Sequence, residues 1–266
     1  MIRNSMSSLL HIEGIQPQLQ PDIFGHVLGA PISNVWTTTW LLIGIFALLM
    51  IGLRKLALVP GRGQAMFEMG VEMFEELIFQ ISGSKKTARR LLFVTGPLLL
   101  FLLLSNLISI VPGLSSLTYA GLPLFRTATN DYNMTLTLGI VVSLFINGMI
   151  IKQVGIFSFV GKFVQIKPFI LSFTKGPMAV FESLIGLFIG FMDIIGEIAK
   201  ILSMTLRLFG NIYAGEVMTV VFYSLFSLLA PFPWHGLSAF SGIIQALVFT
   251  LLTIVFYSMG VTPEEA

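Results

Sequence analysis

The chain has 266 residues, 55% of them hydrophobic and 11% charged, with a mean hydropathy of +0.91. A water-soluble surface needs roughly a quarter of its residues charged, so an ordinary soluble domain is excluded, as is a disordered chain. Fifteen Lys and Arg against thirteen Asp and Glu leave +2, too little for a nucleic-acid surface, and the lack of cysteine excludes disulfides, thiolate catalysis and Cys-ligated metal.

Residues 1–34 have no long apolar core and read as an external amino-terminal segment, whereas 35–266 read as a single membrane domain. A first span is expected from Val35 to about Leu53, with Trp36 and Trp40 near one end and Arg54 and Lys55 at the other. Aromatic rings favour the interface and basic residues the cytoplasmic side, so this helix runs inward. Between Gln64 and Ile81, Glu68, Glu72, Glu75 and Glu76 recur at helical spacing opposite Phe67, Val71, Phe74, Leu77 and Ile78. Such a two-sided pattern predicts a helix lying on the cytoplasmic surface. Lys85, Lys86, Arg89 and Arg90 precede a second span at Leu91–Val111, ended by Pro112-Gly113, and a third runs from about Met134 to Ile151. Lys and Arg number seven in 54–90, one (Arg126) in 112–133 and four in 152–175. This bias puts the first and last of these loops inside and the amino terminus outside.

The apolar sequence then runs from about Pro177 to Leu229, breaks at Pro231-Phe232-Pro233 and resumes from about Leu237 to Met259. A helix of about fifty residues is more than twice the roughly 30 Å thickness of the hydrocarbon. The pattern therefore predicts two strongly tilted helices turned at Pro231–Gly236, the alternative being a turn hidden near Gly186, Gly190 or Gly196. The predicted class is an all-α integral membrane protein, with transmembrane helices, a cytoplasmic surface helix and a long tilted carboxy-terminal hairpin.

Glu182, Asp193, Glu197, Lys200, Arg207 and Glu216 lie in the first arm of that hairpin. An Arg at a helix centre costs roughly 2.5–3.5 kcal/mol on insertion scales, so it needs an ion path or a partner charge. At about 100° per residue, Asp193, Gly196, Lys200, Ser203, Arg207, Gly210, Asn211 and Ala214 share one polar, small-residue face, with Glu216 opposite and Glu197 to the side. Another helix, or water, has to meet that face. The plainer reading is an Arg207 paired internally with Asp193 or Glu197 to lock the bundle. On the last helix Ser238, Ser241, Gly242 and Gln245 make a similar stripe, and antiparallel packing would bring Gln245 near Arg207. His11, His26 and His235 are scattered and read as surface residues.

The string Ser203-Met204-Thr205-Leu206-Arg207-Leu208-Phe209-Gly210-Asn211-Ile212-Tyr213-Ala214-Gly215-Glu216 closely resembles the signature of subunit a of the rotary F-type ATP synthases. Asn130–Leu138 and Gly242–Phe249 resemble further segments of that family. The resemblance implies a non-catalytic stator subunit embracing a ring of proteolipid c subunits, with the b and b′ peripheral-stalk subunits as further partners. It needs no cofactor and no nucleic acid; its surroundings are membrane lipid and its cargo is protons, or Na⁺. Arg207 would face the carboxylate of each passing c subunit and block direct proton flow between two aqueous half-channels. Asn211, Glu216 and Gln245 would line the outer half-channel; Asp193, Glu197 and Ser203 would lie along the inner one. Two positions depart from the family pattern. Ile201 stands where many relatives have Pro, and Ser238 where some carry His or an acid.

A self-contained secondary transporter is the competing reading, since intramembrane charge occurs there too. No inverted repeat supports it, and neither a His-Glu-x-x-His zinc motif nor a phosphate loop supports an enzyme. With no transit-peptide character at the start, the expected location is a bacterial inner membrane.

Overall fold

The computed structural model describes residues 22–27, 30–52, 60–108, 111, 117–119, 122–163, 177–225 and 231–261. Arg54, Lys55, Pro112-Gly113, Lys167, Lys175, His11, residues 226–230 and the acidic end 262–266 lie outside them. Among the described residues, four helices are long and apolar enough to cross a membrane: α1 (Asn34–Gly52), α3 (Lys85–Ile108), α4 (Tyr132–Val154) and the apolar part of α7 (Pro231–Val261). The chain is an all-α integral membrane protein, as its composition requires. The described strands form two small antiparallel hairpins, β1 (Ile23–Val27) with β2 (Ala30–Ser33) and β3 (Thr118–Tyr119) with β4 (Leu122–Pro123). Neither was expected, because polar and short segments carry little periodicity.

The surface helix α2 (Arg62–Ser82) buries Phe74 and Ile78 and leaves Glu72 and Glu76 exposed. Gly83 ends it in the left-handed conformation (φ 67°) and donates its N–H to the Phe79 carbonyl, the usual way to satisfy a last-turn acceptor. Helix α3 begins at Lys85, earlier than the apolar run, because the four basic residues continue the helix beyond the hydrocarbon. Arg89 there pairs with Glu75 at 3.2 Å. At the other end Asp131 caps α4 by accepting the Asn133 N–H at 3.1 Å. A further short helix, α5 (Ile156–Phe163), follows the turn at Gly155, in a stretch that had been expected to be loop.

Helix α6 (Pro177–Leu225) is one continuous helix of 49 residues, which corrects the hidden-turn alternative. Gly186, Gly190 and Gly196 lack a proline or a cap nearby, so the ladder of backbone bonds runs through them. At 1.5 Å per residue it is about 74 Å long and has to lie strongly inclined. The Pro231–Gly236 turn is also corrected: α7 starts at Pro231. Prolines in a first helical turn sacrifice only N–H groups that have no intrahelical acceptor.

Three apolar clusters hold these helices. Phe74, Ile78, Leu91, Ile146, Ile150, Ile254 and Tyr257 join α2, α3, α4 and α7. Leu98, Leu102, Met204, Leu208, Ala246 and Phe249 join α3, α6 and α7. Val35, Leu42 and Ala128 tie α1 to the segment before α4. Helices α4 and α6 approach closely at Gly139, where a Cβ would lie 2.7 Å from Thr205 Oγ1. Small residues permit such contact between apolar helices, where lipid offers no hydrophobic drive to associate.

Candidate functional site

The hairpin of α6 and α7 carries the site. Ser241 Oγ donates to Asn211 Oδ1 at 2.8 Å, and Trp234 Nε1 donates to the Gly215 carbonyl at 3.2 Å and to Thr219 Oγ1 at 3.0 Å. Lys200 lies over the Phe256 ring, 5.1 Å from its centroid. These contacts fix an antiparallel register. One turn onward from Ser241 is Gln245; one turn back from Asn211 is Arg207. Gln245 therefore sits level with Arg207, as the two stripes suggest. It is buried, and its Nε2 has no hydrogen-bond partner among the described residues.

Arg207 points to the other side. Ser203, Leu206, Arg207, Gly210 and Ala214 are exposed, whereas Met204, Thr205 and Leu208 are packed inside. The Arg207 Nη2 contact with Ser203 Oγ, at 3.5 Å, is long and exposed, and no carboxylate among the described residues is within ion-pair distance of Arg207. The internal pairing with Asp193 or Glu197 is thus absent among them. Glu197 is engaged instead by Lys200, at 2.7 Å and three residues away on the same helix. Asp193 is half-buried one turn earlier.

Glu216 is held very differently. Arg126 reaches it from the segment before α4, with Nη2 3.7 Å from Oε2. The Ser238 hydroxyl lies against the adjacent Gly215. The segment carrying Arg126 is anchored from three helices. Thr37 Oγ1 of α1 donates to the Leu124 carbonyl, and the Arg126 N–H donates to Thr38 Oγ1 at 3.1 Å. Thr129 Oγ1 donates to Asn106 Oδ1 of α3 at 3.0 Å, while Asn106 Nδ2 donates to the Gly242 carbonyl of α7 at 2.9 Å. Thr127, Ala128, Thr129 and Asn130 are all buried.

Sequence reasoning missed Arg126, Asn130, Asn106 and Thr129 as neighbours of the site. Arg126 entered only as a loop charge, and nothing in local spacing ties it to Glu216, 90 residues later. The one usable signal was its solitude, since the single basic residue of the 112–133 loop invites a search for a partner.

Among the described residues, four helices long and apolar enough to cross a membrane stand beside a 49-residue helix that carries charged residues and an arginine on an uncovered face, which defines a polytopic membrane protein. The family model described as ATP synthase A chain matches residues 35–258. The chain belongs to the ATP synthase subunit a family. It is 28% identical to ATP synthase subunit a of Moorella thermoacetica over 232 residues, covering 87% of this chain and 92% of that one. It is 31% identical over 246 residues to the sodium ion specific ATP synthase subunit a of Propionigenium modestum, covering 90% and 78%. A third relative, ATP synthase subunit a 1 of Syntrophotalea carbinolica, is 30% identical over 236 residues, covering 88% and 86%.

Proposed function

We propose that this chain is the non-catalytic stator of a proton-driven rotary motor, in which Arg207 faces the ion-carrying carboxylate of a c-subunit ring. The observation that carries this reading is the uncovered face of α6: an arginine at its centre, flanked by Ser203, Gly210 and Ala214, without a carboxylate of its own among the described residues. A guanidinium stays charged at any accessible pH, so it favours the deprotonated form of a carboxylate brought before it. Each carboxylate has to release its proton before passing Arg207 and take up another beyond it. The same charge keeps protons from crossing directly between the two half-channels. Small residues on either side let a neighbouring helix come close.

Glu216, Asn211 and Gln245 line the outer half-channel in this reading, and Asp193, Glu197 and Ser203 the inner one. The hairpin register supports the division, because Glu216 stands at the same end as the segment before α4, while Asp193 and Glu197 lie beyond Arg207 towards the start of α6. The amino terminus is outside, the membrane is the bacterial plasma membrane, and the b and b′ stalk subunits hold the chain against the turning ring. One charge crossing 100 mV releases roughly 2.3 kcal/mol, which is the drive for each step. Family membership favours this over a self-contained transporter.

The test is Arg207→Ala in the complete complex, reconstituted in vesicles. ATP-driven proton pumping is expected to fall to background while the chain still co-purifies with the ring. Normal coupled pumping would falsify the reading.

A further inference from the structure

We propose that the inner ends of α1 and α3 form a wedge that seats an anionic phospholipid of the cytoplasmic leaflet, its phosphate held by Lys86 and Arg90 and its acyl chains lying against Leu49, Phe93 and Pro97. The inference rests on the orientation proposed above, which puts the Lys85 end of α3 inside.

One face of α3 is covered along half its length. At about 100° per residue, Lys86, Arg90, Phe93 and Pro97 fall on the same arc as Phe101, Leu104 and Ile108. At the outer end, Phe101, Leu104 and Ile108 pack against Val35, Leu42 and Ala128. At the inner end, Phe93 is 84% exposed, and Lys86, Arg90 and Pro97 are exposed as well. Helix α1 shows the same change from its own side. Val35, Thr38 and Leu42 are buried, whereas the next positions on that face, Ile45 and Phe46, are half-buried and Leu49 is 41% exposed. At 1.5 Å per residue, Leu49 lies about 10 Å beyond Leu42 and Phe93 about 12 Å beyond Phe101, so the two stand at similar depth. The helices therefore touch near their outer ends and part towards the inside. Bulky apolar side chains wall the space, and none of the described residues fills it.

The four basic residues at the start of α3 divide between two tasks. Arg89 pairs with Glu75, and Lys85 lies 5.9 Å from the centroid of the Phe79 ring, so both are engaged by α2. Lys86 and Arg90 form no ion pair with a described residue, and their four-residue spacing sets them side by side on the wedge face. The bias of basic residues towards the cytoplasm accounts for cations on this side, but not for two of them above an open apolar cleft. A phosphate suits the pair, because a guanidinium binds it in bidentate fashion and an ammonium adds a point charge. A headgroup of net negative charge, such as phosphatidylglycerol, keeps that attraction whole. A zwitterionic one brings its own ammonium, which offsets it. A helix of a partner subunit fits the space less well. Helices pack in lipid through small residues, whereas these walls present Phe46, Leu49 and Phe93, an uneven surface to which acyl chains conform.

The complete complex, purified in detergent, is equilibrated with mixed micelles of equimolar phosphatidylglycerol and phosphatidylcholine, re-isolated, and its retained lipid measured by mass spectrometry. Micelles have no sides, so binding is read whatever the orientation. The wild type is expected to retain more phosphatidylglycerol than phosphatidylcholine. Each surface cation contributes about fivefold to the attraction for anionic lipid. Joint Lys86→Gln and Arg90→Gln substitution is therefore expected to release phosphatidylglycerol and leave phosphatidylcholine unchanged. Lys152→Gln, which removes a cation from the last turn of α4, is expected to change neither. Leu49→Trp, which fills the wedge and keeps both cations, is expected to release phosphatidylglycerol too. Equal retention by the wild type and the double variant overturns the proposal, as does unchanged retention in Leu49→Trp. Should the double variant fail to assemble, a benzoylphenylalanine photo-crosslinker in place of Phe93 decides. A phospholipid adduct supports the wedge, and cross-linking to a partner subunit overturns it. The orientation is read separately with Lys86→Cys in this cysteine-free chain. Labelling from the side opposite the ATP-hydrolysing sector sinks the orientation and leaves the lipid site standing.

Discussion

The two ends of α6 hold their acidic residues in opposite ways. Towards the start of the helix, Glu197 is paired within a single turn by Lys200, and both side chains are 28% exposed. Towards its end, Glu216 is met by an arginine from a distant segment, which is itself anchored on α1, α3 and α7. A local pair between half-buried side chains three residues apart is worth about a few tenths of a kcal/mol and rearranges easily. A pair built by tertiary contact stays where the fold puts it. The difference is one of anchoring: the first carboxylate is held within its own helix, the second by the surrounding fold, with Arg207 between them.

The comparison is broken most directly at its centre. Arg207→Lys keeps a positive charge but loses the planar fork, and an ammonium can shed its proton in an apolar setting; ATP-driven pumping is expected to drop nearly as far as in the Ala variant. Pumping at the wild-type rate would mean that any cation there suffices. Next in size, Glu216→Gln is expected to slow proton flux about tenfold, the factor that ~1.4 kcal/mol on a limiting barrier produces. Flux assays on reconstituted vesicles read this directly.

Packing provides a third probe. Gly139→Val places a Cβ 2.7 Å from Thr205 Oγ1 and its two methyl groups closer still to α6, so the packing of α4 on α6 is disturbed, at a cost of about 1–3 kcal/mol. Thermal unfolding in detergent should show the loss, and Gly148→Val, where a Cβ meets nothing within 4 Å, should not. The smallest effect is expected at the inner end. Glu197→Gln leaves Asp193 one turn away as a second carboxylate, so flux should change less than twofold, by the few tenths of a kcal/mol such a pair is worth. The Asp193→Asn, Glu197→Gln double variant should fall well below either single one. A Glu197→Gln defect as severe as that of Glu216→Gln would erase the contrast between the two ends.

Much of this protein was legible from residues alone. The surface helix appeared in the four glutamates facing Phe74 and Ile78, and the structure extends it only to 62–82. Spans near 35–53 and 134–151 became helices 34–52 and 132–154. The stripe through Ser203, Arg207, Gly210 and Ala214 followed from 100° per residue, because helical periodicity is a local property. Boundaries were weaker wherever a residue has two meanings: Pro231-Phe232-Pro233 reads as a break but begins α7.

What the sequence determined by itself was therefore the membrane as solvent, the helices that lie in it and the polar face bearing Arg207. Each depends on composition or on residues within a few turns of one another. Tertiary structure alone decided which side of α6 stays uncovered and that Glu216 meets Arg126. Those outcomes depend on α3, α4, α7 and the segment before α4 packing against α6, and contact between residues 90 positions apart leaves no periodic trace in the chain.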